Sequence, residues 1–151
     1  MTDSEYMQIA LCEADKALRD GEIPIGAVIR YRDTILAAAH NQCEAQHDSF
    51  AHAEMMVLKK AMQRLSARRL TLCQLYVTIE PCPMCAGAIL NARVGRLVYG
   101  ASDAQYGGIS RFHMDRSSAF NHTLPITKGI LEADCQKRMD SFFAGLRKLG
   151  Q

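Results

Sequence analysis

The sequence contains no tryptophan, only four prolines among its 151 residues, and aromatic residues at just 7%. It also lacks an excess of either charge. Eighteen lysines and arginines nearly balance sixteen aspartates and glutamates, a formal net charge of +2, so no overall basic field announces a nucleic-acid partner. Any such partner has to be met by local cations. Long apolar runs are missing too. Stretches such as Ile35 to Ala39 fall far short of the roughly 20 residues that cross a bilayer, which excludes a helical membrane span. Met1 to Ala10 has neither the basic start nor the apolar middle of a signal peptide, so the expected location is the cytoplasm. Hydrophobic residues at 48% and charged ones at 23% describe an ordinary globular chain. At roughly 150 residues per domain, one domain over residues 1–151 is expected.

What is present alternates between helical and strand patterns. Met7, Leu11, Ala14 and Leu18 recur at helical spacing behind the capping candidates Thr2, Asp3 and Ser4, which predicts a helix from about Ser4 to Asp20, stopped by Gly21. Ile23 to Tyr31 and Thr34 to Ala39 flank the turn-like Arg32-Asp33 and read as an antiparallel hairpin. Asn41 to Ser49 reads as a polar loop. A second helix is expected from Ala51, with its methionines as core filler. Gln74 to Ile79 is a third strand, Pro81 just after it suits the first helical position so that Cys82 to Asn91 opens a third helix, and Arg96 to Tyr99 is a fourth strand. A short strand over Ile126 to Lys128 and a C-terminal helix carrying Cys135, Met139, Phe142, Leu146 and Leu149 complete an α/β/α sandwich, at least partly parallel.

Six cysteines in a chain expected in a reducing compartment point to burial or metal binding rather than to disulfides. Cys12 and Cys135 fall on apolar helical stripes and Cys73 borders a strand, so all three read as small buried hydrophobes. Cys82 and Cys85 differ. Residues three apart on a helix lie about 60° apart around its axis, so both thiols can reach one ion, and the start of a helix favours the thiolate. His52, at the start of another helix, can complete a Cys2His set whose fourth tetrahedral position stays open to water, as in a catalytic zinc site. Glu54, two residues on, can stand beside that water only if His52 lies in the irregular first turn of its helix. It would then move protons from a water whose pKa zinc brings toward about 7. Two other uses of these residues are a closed structural zinc with His47 as fourth ligand, which leaves Glu54 without a role, and a redox Cys-x-x-C pair, which makes the flanking Glu80-Pro81 and His52 a coincidence.

His52-Ala53-Glu54 and Pro81-Cys82-Pro83-Met84-Cys85 together match the H-x-E and P-C-x-x-C signature of the zinc-dependent nucleobase deaminases. Beyond the motif, Glu22-Ile-Pro-Ile-Gly-Ala-Val28, Asn41, Ala51-His-Ala-Glu54, Leu75-Tyr-Val-Thr-Ile-Glu-Pro-Cys82, Met84-Cys-Ala-Gly-Ala88, Gly129-Ile-Leu131, Cys135 and Phe142-Phe143 resemble the bacterial tRNA-specific adenosine deaminases over nearly the whole chain. The resemblance implies a cytidine-deaminase-like fold with a five-stranded mixed sheet, a homodimer, and conversion of the wobble adenosine of a tRNA anticodon to inosine. Carried onto this chain, it makes His52, Cys82 and Cys85 ligands of one zinc per chain and Glu54 the proton shuttle. It also makes Asn41 a base contact and Asp103 a contact to the neighbouring ribose, with Ile25, Ala53 and Ile79 around the base and Phe143 and Arg147 against the anticodon loop. The chain departs from the family pattern at Ser49-Phe50, Gln105, Ser110 to Met114 and Ala144, all near the expected substrate face. A second enzyme reading is therefore a free nucleobase or nucleoside as substrate, such as guanine or cytosine. A non-catalytic RNA- or protein-binding subunit on the same fold is the alternative of another class, and it leaves Glu54 without a purpose.

Overall fold

The computed structural model describes residues 1–150, with helices α1 (Asp3–Arg19), α2 (Cys43–Gln46), α3 (Ala53–Leu65), α4 (Pro83–Asn91) and α5 (Glu132–Leu149) and strands β1 (Gly26–Tyr31), β2 (Thr34–His40), β3 (Cys73–Ile79), β4 (Arg96–Ala101) and β5 (Ile126–Lys128). The strands form a mixed sheet in the order β2-β1-β3-β4-β5. Its β2-β1-β3 side is antiparallel and its β3-β4-β5 side parallel. Alternation along the central strands sorts their side chains between two cores. Val28, Tyr76 and Val98 face one way, against Tyr6, Met7, Ala10 and Leu11 of α1 and Cys135 of α5. Ala27, Ile29, Leu75, Val77, Leu97 and Tyr99 face the other way, against Val57, Leu58 and Ala61 of α3 and Ile89 and Leu90 of α4. The result is the expected three-layer α/β/α sandwich.

Most expected elements are present, and the differences have local causes. The hairpin's first strand starts at Gly26 rather than Ile23, because Pro24 cannot donate to a ladder and the Ile25 N–H is turned back onto the Ile23 carbonyl at 2.8 Å. The expected loop from Asn41 contains the short helix α2, whose Glu44 and Ala45 N–H groups donate to the buried Glu22 carboxylate at 3.0 and 2.9 Å. Cys12 is exposed, not buried, since the inward stripe of α1 runs through Tyr6, Met7, Ala10, Leu11, Ala14 and Ala17. Met55, Met56 and Met62 are only half-buried; Met62 packs against the core as expected, Met55 and Met56 do not, and the interior of α3 is filled by Val57, Leu58 and Ala61.

Helix α1 is held to the sheet at two places. Its start is closed by a reciprocal cap, Thr2 Oγ1 accepting from the Glu5 N–H while Glu5 accepts from the Thr2 N–H. From its first turn Asp3 reaches Arg96 of β4, and Asp3 Oδ1 also accepts from the Tyr76 hydroxyl at 2.8 Å. Arg96 holds the Asp3 carboxyl below its ordinary value. This contribution is therefore present above the unfolded value, near 3.9, and is lost as pH falls through the lower folded one. Asp3→Asn should flatten the acid limb of stability below about pH 4 in chemical denaturation. Further along, β1 passes so close to α1 that a Cβ on Gly26 would lie 1.9 Å from the Ala10 carbonyl oxygen and 2.7 Å from the Ala14 nitrogen. Both obstacles are backbone and cannot rotate away. Gly26→Ala should cost about 3 kcal/mol in the same experiment. Wild-type stability would show that α1 can shift without cost.

Candidate metal centre and substrate groove

His52 is the N-cap of α3, with φ −75° and ψ 147°, and Glu54 is already within the helix. That meets the geometric condition set by the sequence. The extended backbone at His52 cancels the half-turn that would separate residues two apart on a regular helix, so the imidazole and the carboxyl address one space. Cys82 is likewise the N-cap of α4, extended at φ −67° and ψ 170°. Pro83, rather than Pro81, takes the first helical position, where its missing N–H costs nothing. Cys85 follows in the first turn.

The His52 ring nitrogen Nδ1 stands 3.3 Å from Cys85 Sγ and 3.7 Å from Cys82 Sγ. Tetrahedral zinc with Zn–S near 2.3 Å and Zn–N near 2.0–2.1 Å separates sulfur from nitrogen by about 3.6 Å, so the three side chains already have the spacing of a ligand set. Among the described residues they form the group of three whose ligand atoms all lie within 4.8 Å of one another. His47 is exposed at the end of α2 and does not join it. The Cys82 thiol is pulled down to about 4, chiefly by a hydrogen bond from Cys85 and further by His52, while Cys85 is pushed up as the partner that keeps the proton. Two helix N-termini point at the pair.

Glu54 lies against this set. It is 3% exposed, its Oε1 has no hydrogen-bond partner, and burial lifts it to about 7. A buried carboxyl oxygen left free at a His/Cys/Cys cluster is poised for a ligand. Neither His52 nor Cys82 caps its own helix through a side chain. Asn41 does so for α3: buried at the end of β2, it accepts from the Ala53 N–H through Oδ1 at 2.8 Å, which leaves its amide group as a donor. Ala53 is fully buried and Ile25 half-buried, the Ile25 carbonyl accepting from the Asn41 N–H at 3.1 Å.

A groove of about 370 Å³ opens beside the end of β3, lined by Ile79, Asp103, Gln105, Tyr106, Met139 and Phe143 among others. Asp103 Oδ1 accepts from the N–H groups of Gln105 and Tyr106 at 3.1 and 3.0 Å, so it shapes the turn and keeps one oxygen uncommitted. Phe143 is 41% exposed and meets the half-buried Phe142 edge-on at 5.3 Å. Arg147, one turn further along α5, is exposed and does not line the groove. Glu22 and Glu80 carry no expected site role, yet each is a buried carboxylate bonded to backbone N–H groups, those of α2 for Glu22 and of the loop after β4 for Glu80. The one available signal was an acid directly preceding Pro81-Cys82.

This fold and site define a deaminase, and residues 1–137 match the family model of the MafB19-like deaminases. Among curated proteins, the chain is 46% identical to a tRNA-specific adenosine deaminase of Bacillus subtilis, over 98% of this chain and 93% of that one. It is 44% identical to one of Haemophilus influenzae, over 97% and 86%. The chain belongs to the family of the tRNA-specific adenosine deaminases. Among solved structures, one from studies of A-to-I editing by tRNA:A34 deaminases at the wobble position of transfer RNA superposes with a TM-score of 0.86, at 36% identity, over 89% of this chain and 98% of that one. A guanine deaminase of Bacillus subtilis superposes with a TM-score of 0.67, at 31% identity, over 84% and 85%.

Removing one sulfur from a three-ligand set should release the metal. Elemental analysis of purified Cys82→Ala is expected to show a loss of zinc relative to wild type. Full retention would exclude Cys82 as a ligand.

Proposed function

We propose that this chain, acting as one domain over residues 1–151, hydrolyses adenosine to inosine at the wobble position of a tRNA anticodon, with one zinc ion held by His52, Cys82 and Cys85. The observation that carries the chemistry is the free, buried Glu54 Oε1 beside the three ligand atoms. The relatives at 44–46% identity carry the choice of substrate over the more distant guanine deaminase. When bound, zinc supplies the Lewis acidity that brings a water toward a pKa of about 7.

The overall exchange is adenosine plus water giving inosine plus ammonia. The C6–N6 bond breaks and a C6–O bond forms. Glu54 takes a proton from the attacking water, delivers it to N1 of the purine, and serves the leaving N6 in the same way. Its burial keeps bulk water from competing for these protons. Asn41, with its oxygen held by the Ala53 N–H, presents its amide N–H group to a ring acceptor. Ile25, Ala53 and Ile79 enclose the base, and the second oxygen of Asp103 accepts from the neighbouring ribose hydroxyl. Phe143 offers an exposed ring and Arg147 a cation to the anticodon loop. A loop nucleotide suits a buried site because its base leaves the stack at modest cost.

The proposal includes a homodimer acting in the cytoplasm. In support, Met55, Leu58 and Met62 of α3 and Ala88 of α4 line a surface cavity of about 300 Å³ rimmed by Lys59, Arg68 and Arg69, a mixed apolar and basic surface that a second copy can cover. No helix among the described residues is long and apolar enough to cross a membrane.

The test is mass analysis of an anticodon stem-loop with adenosine at the wobble position, alongside free guanine, cytosine and adenosine. Inosine should appear at that one position, at a rate that falls with rising salt. Glu54→Ala should retain zinc and fold while losing about 10²- to 10⁴-fold in turnover, since it removes proton transfer without removing a ligand. An unchanged stem-loop together with salt-independent deamination of a free base would replace this reading with the small-molecule one.

A further inference from the structure

Glu80 follows the last residue of β3 and directly precedes Pro81-Cys82, and its side chain reaches into the loop after β4. Four donors from that loop converge on it. Oε1 accepts from the Asp103 N–H at 3.1 Å and the Ser110 hydroxyl at 2.5 Å; Oε2 accepts from the Ile109 and Ser110 N–H groups at 3.0 and 2.7 Å. The carboxylate is 4% exposed. Backbone bonds run alongside: the Glu80 N–H donates to the Ala101 carbonyl and the Gly108 N–H to the Pro81 carbonyl, both at 2.8 Å. Gly107 packs so tightly over the carboxylate that a Cβ there would lie 1.9 Å from Oε2. One side chain thus fastens both ends of the segment 103–110, which forms a wall of the groove, to the turn that carries Cys82.

We infer that Glu80 is a positioning residue for substrate recognition: its carboxylate sets the place of Asp103 and of the 103–110 loop relative to the reacting centre. This rests on the reading above that the groove holds the nucleotides flanking the reacting adenosine. Buried charge-assisted hydrogen bonds are strong, and an N–H stripped of its acceptor there is costly. The four donors leave no carboxylate lone pair that a neutral isostere can replace in full. A glutamine offers one acceptor oxygen and one donor end. With its oxygen kept on the Ile109 and Ser110 N–H groups, its NH2 end faces the Asp103 N–H and the Ser110 hydroxyl. The hydroxyl can turn and accept, but the Asp103 N–H cannot. Glu80→Gln therefore frees Asp103 selectively.

Two readouts on the zinc-loaded protein test this. Amide hydrogen exchange without RNA should become faster at Asp103 in Glu80→Gln, with Ile109 and Ser110 still protected. For the wobble-adenosine stem-loop, KM should rise about tenfold with kcat within about threefold and zinc fully retained. Unchanged Asp103 exchange, a fall in kcat at constant KM, or loss of zinc in Glu80→Gln would each overturn the assignment. Failure of the wild-type enzyme on the stem-loop would count against the substrate reading instead, and the exchange measurement would still decide whether Glu80 holds the loop.

Discussion

Everything at this site depends on bringing the N-termini of two helices to one point beyond the end of the central strand β3. Helices α3 and α4 arrive from separate crossovers, and each presents an extended N-cap residue, His52 or Cys82, followed by a second functional side chain in the first turn. Unpaired N–H groups and aligned dipoles give both ends positive character, which favours thiolates and compensates their partial burial. The cost of gathering polar ends beneath a buried carboxyl is met by side chains from elsewhere. Asn41 caps α3 from the end of β2, Glu22 holds the short helix that follows it, and Glu80 ties down the loop beyond β4. The two helix starts that carry the ligand set are therefore braced by side chains from the sheet's connections.

The His52/Cys82/Cys85 group and the groove occupy different parts of this structure. His52, Cys82, Cys85 and Glu54 sit on rigid helix starts that the apolar layers of the sandwich fix. The groove is built from a loop and from α5, whose outer end leaves Leu146 and Leu149 at 48% and 85% exposure. Of the positions where the sequence departs from the pattern it resembles, Gln105 lines the groove, while Ser49-Phe50 and Ser110 to Met114 lie outside it. Phe50 is 66% exposed, and Gln105 uses its amide to reach the Tyr106 hydroxyl at 3.1 Å. Changes there alter what is presented to a substrate without reaching the metal ligands, as expected of loops carried by a stable scaffold.

The legible parts of the sequence were those governed by short-range rules. Short β-branched or apolar runs bounded by turn residues located the strands, helical spacing located the long helices, and the Cys82/Cys85 spacing together with His52 pointed to the side chains that the fold brings within reach of one ion. The condition that His52 must lie outside regular helix followed from angular spacing alone, and the N-cap geometry satisfies it. Boundaries failed where a proline or a cap decided them. Pro24 delayed β1, and Pro83 rather than Pro81 opened α4. Cys12 and the half-exposed methionines failed for another reason: which turn of an amphipathic helix faces inward depends on what packs against it. The least legible residues were Glu22 and Glu80. Their partners lie more than twenty positions away and are backbone N–H groups, which carry no sequence signature.

The central claim is that three protein side chains from two helix starts hold one metal and leave a position open next to Glu54. Zinc K-edge X-ray absorption on the purified, substrate-free protein tests it most directly. The account predicts two sulfur neighbours near 2.3 Å and two nitrogen or oxygen neighbours near 2.0 Å, with one of the light neighbours exchangeable for an added anion. A shell of four protein-derived ligands that no small anion perturbs would contradict it, because the metal would then be structural and Glu54 would have no water to act on.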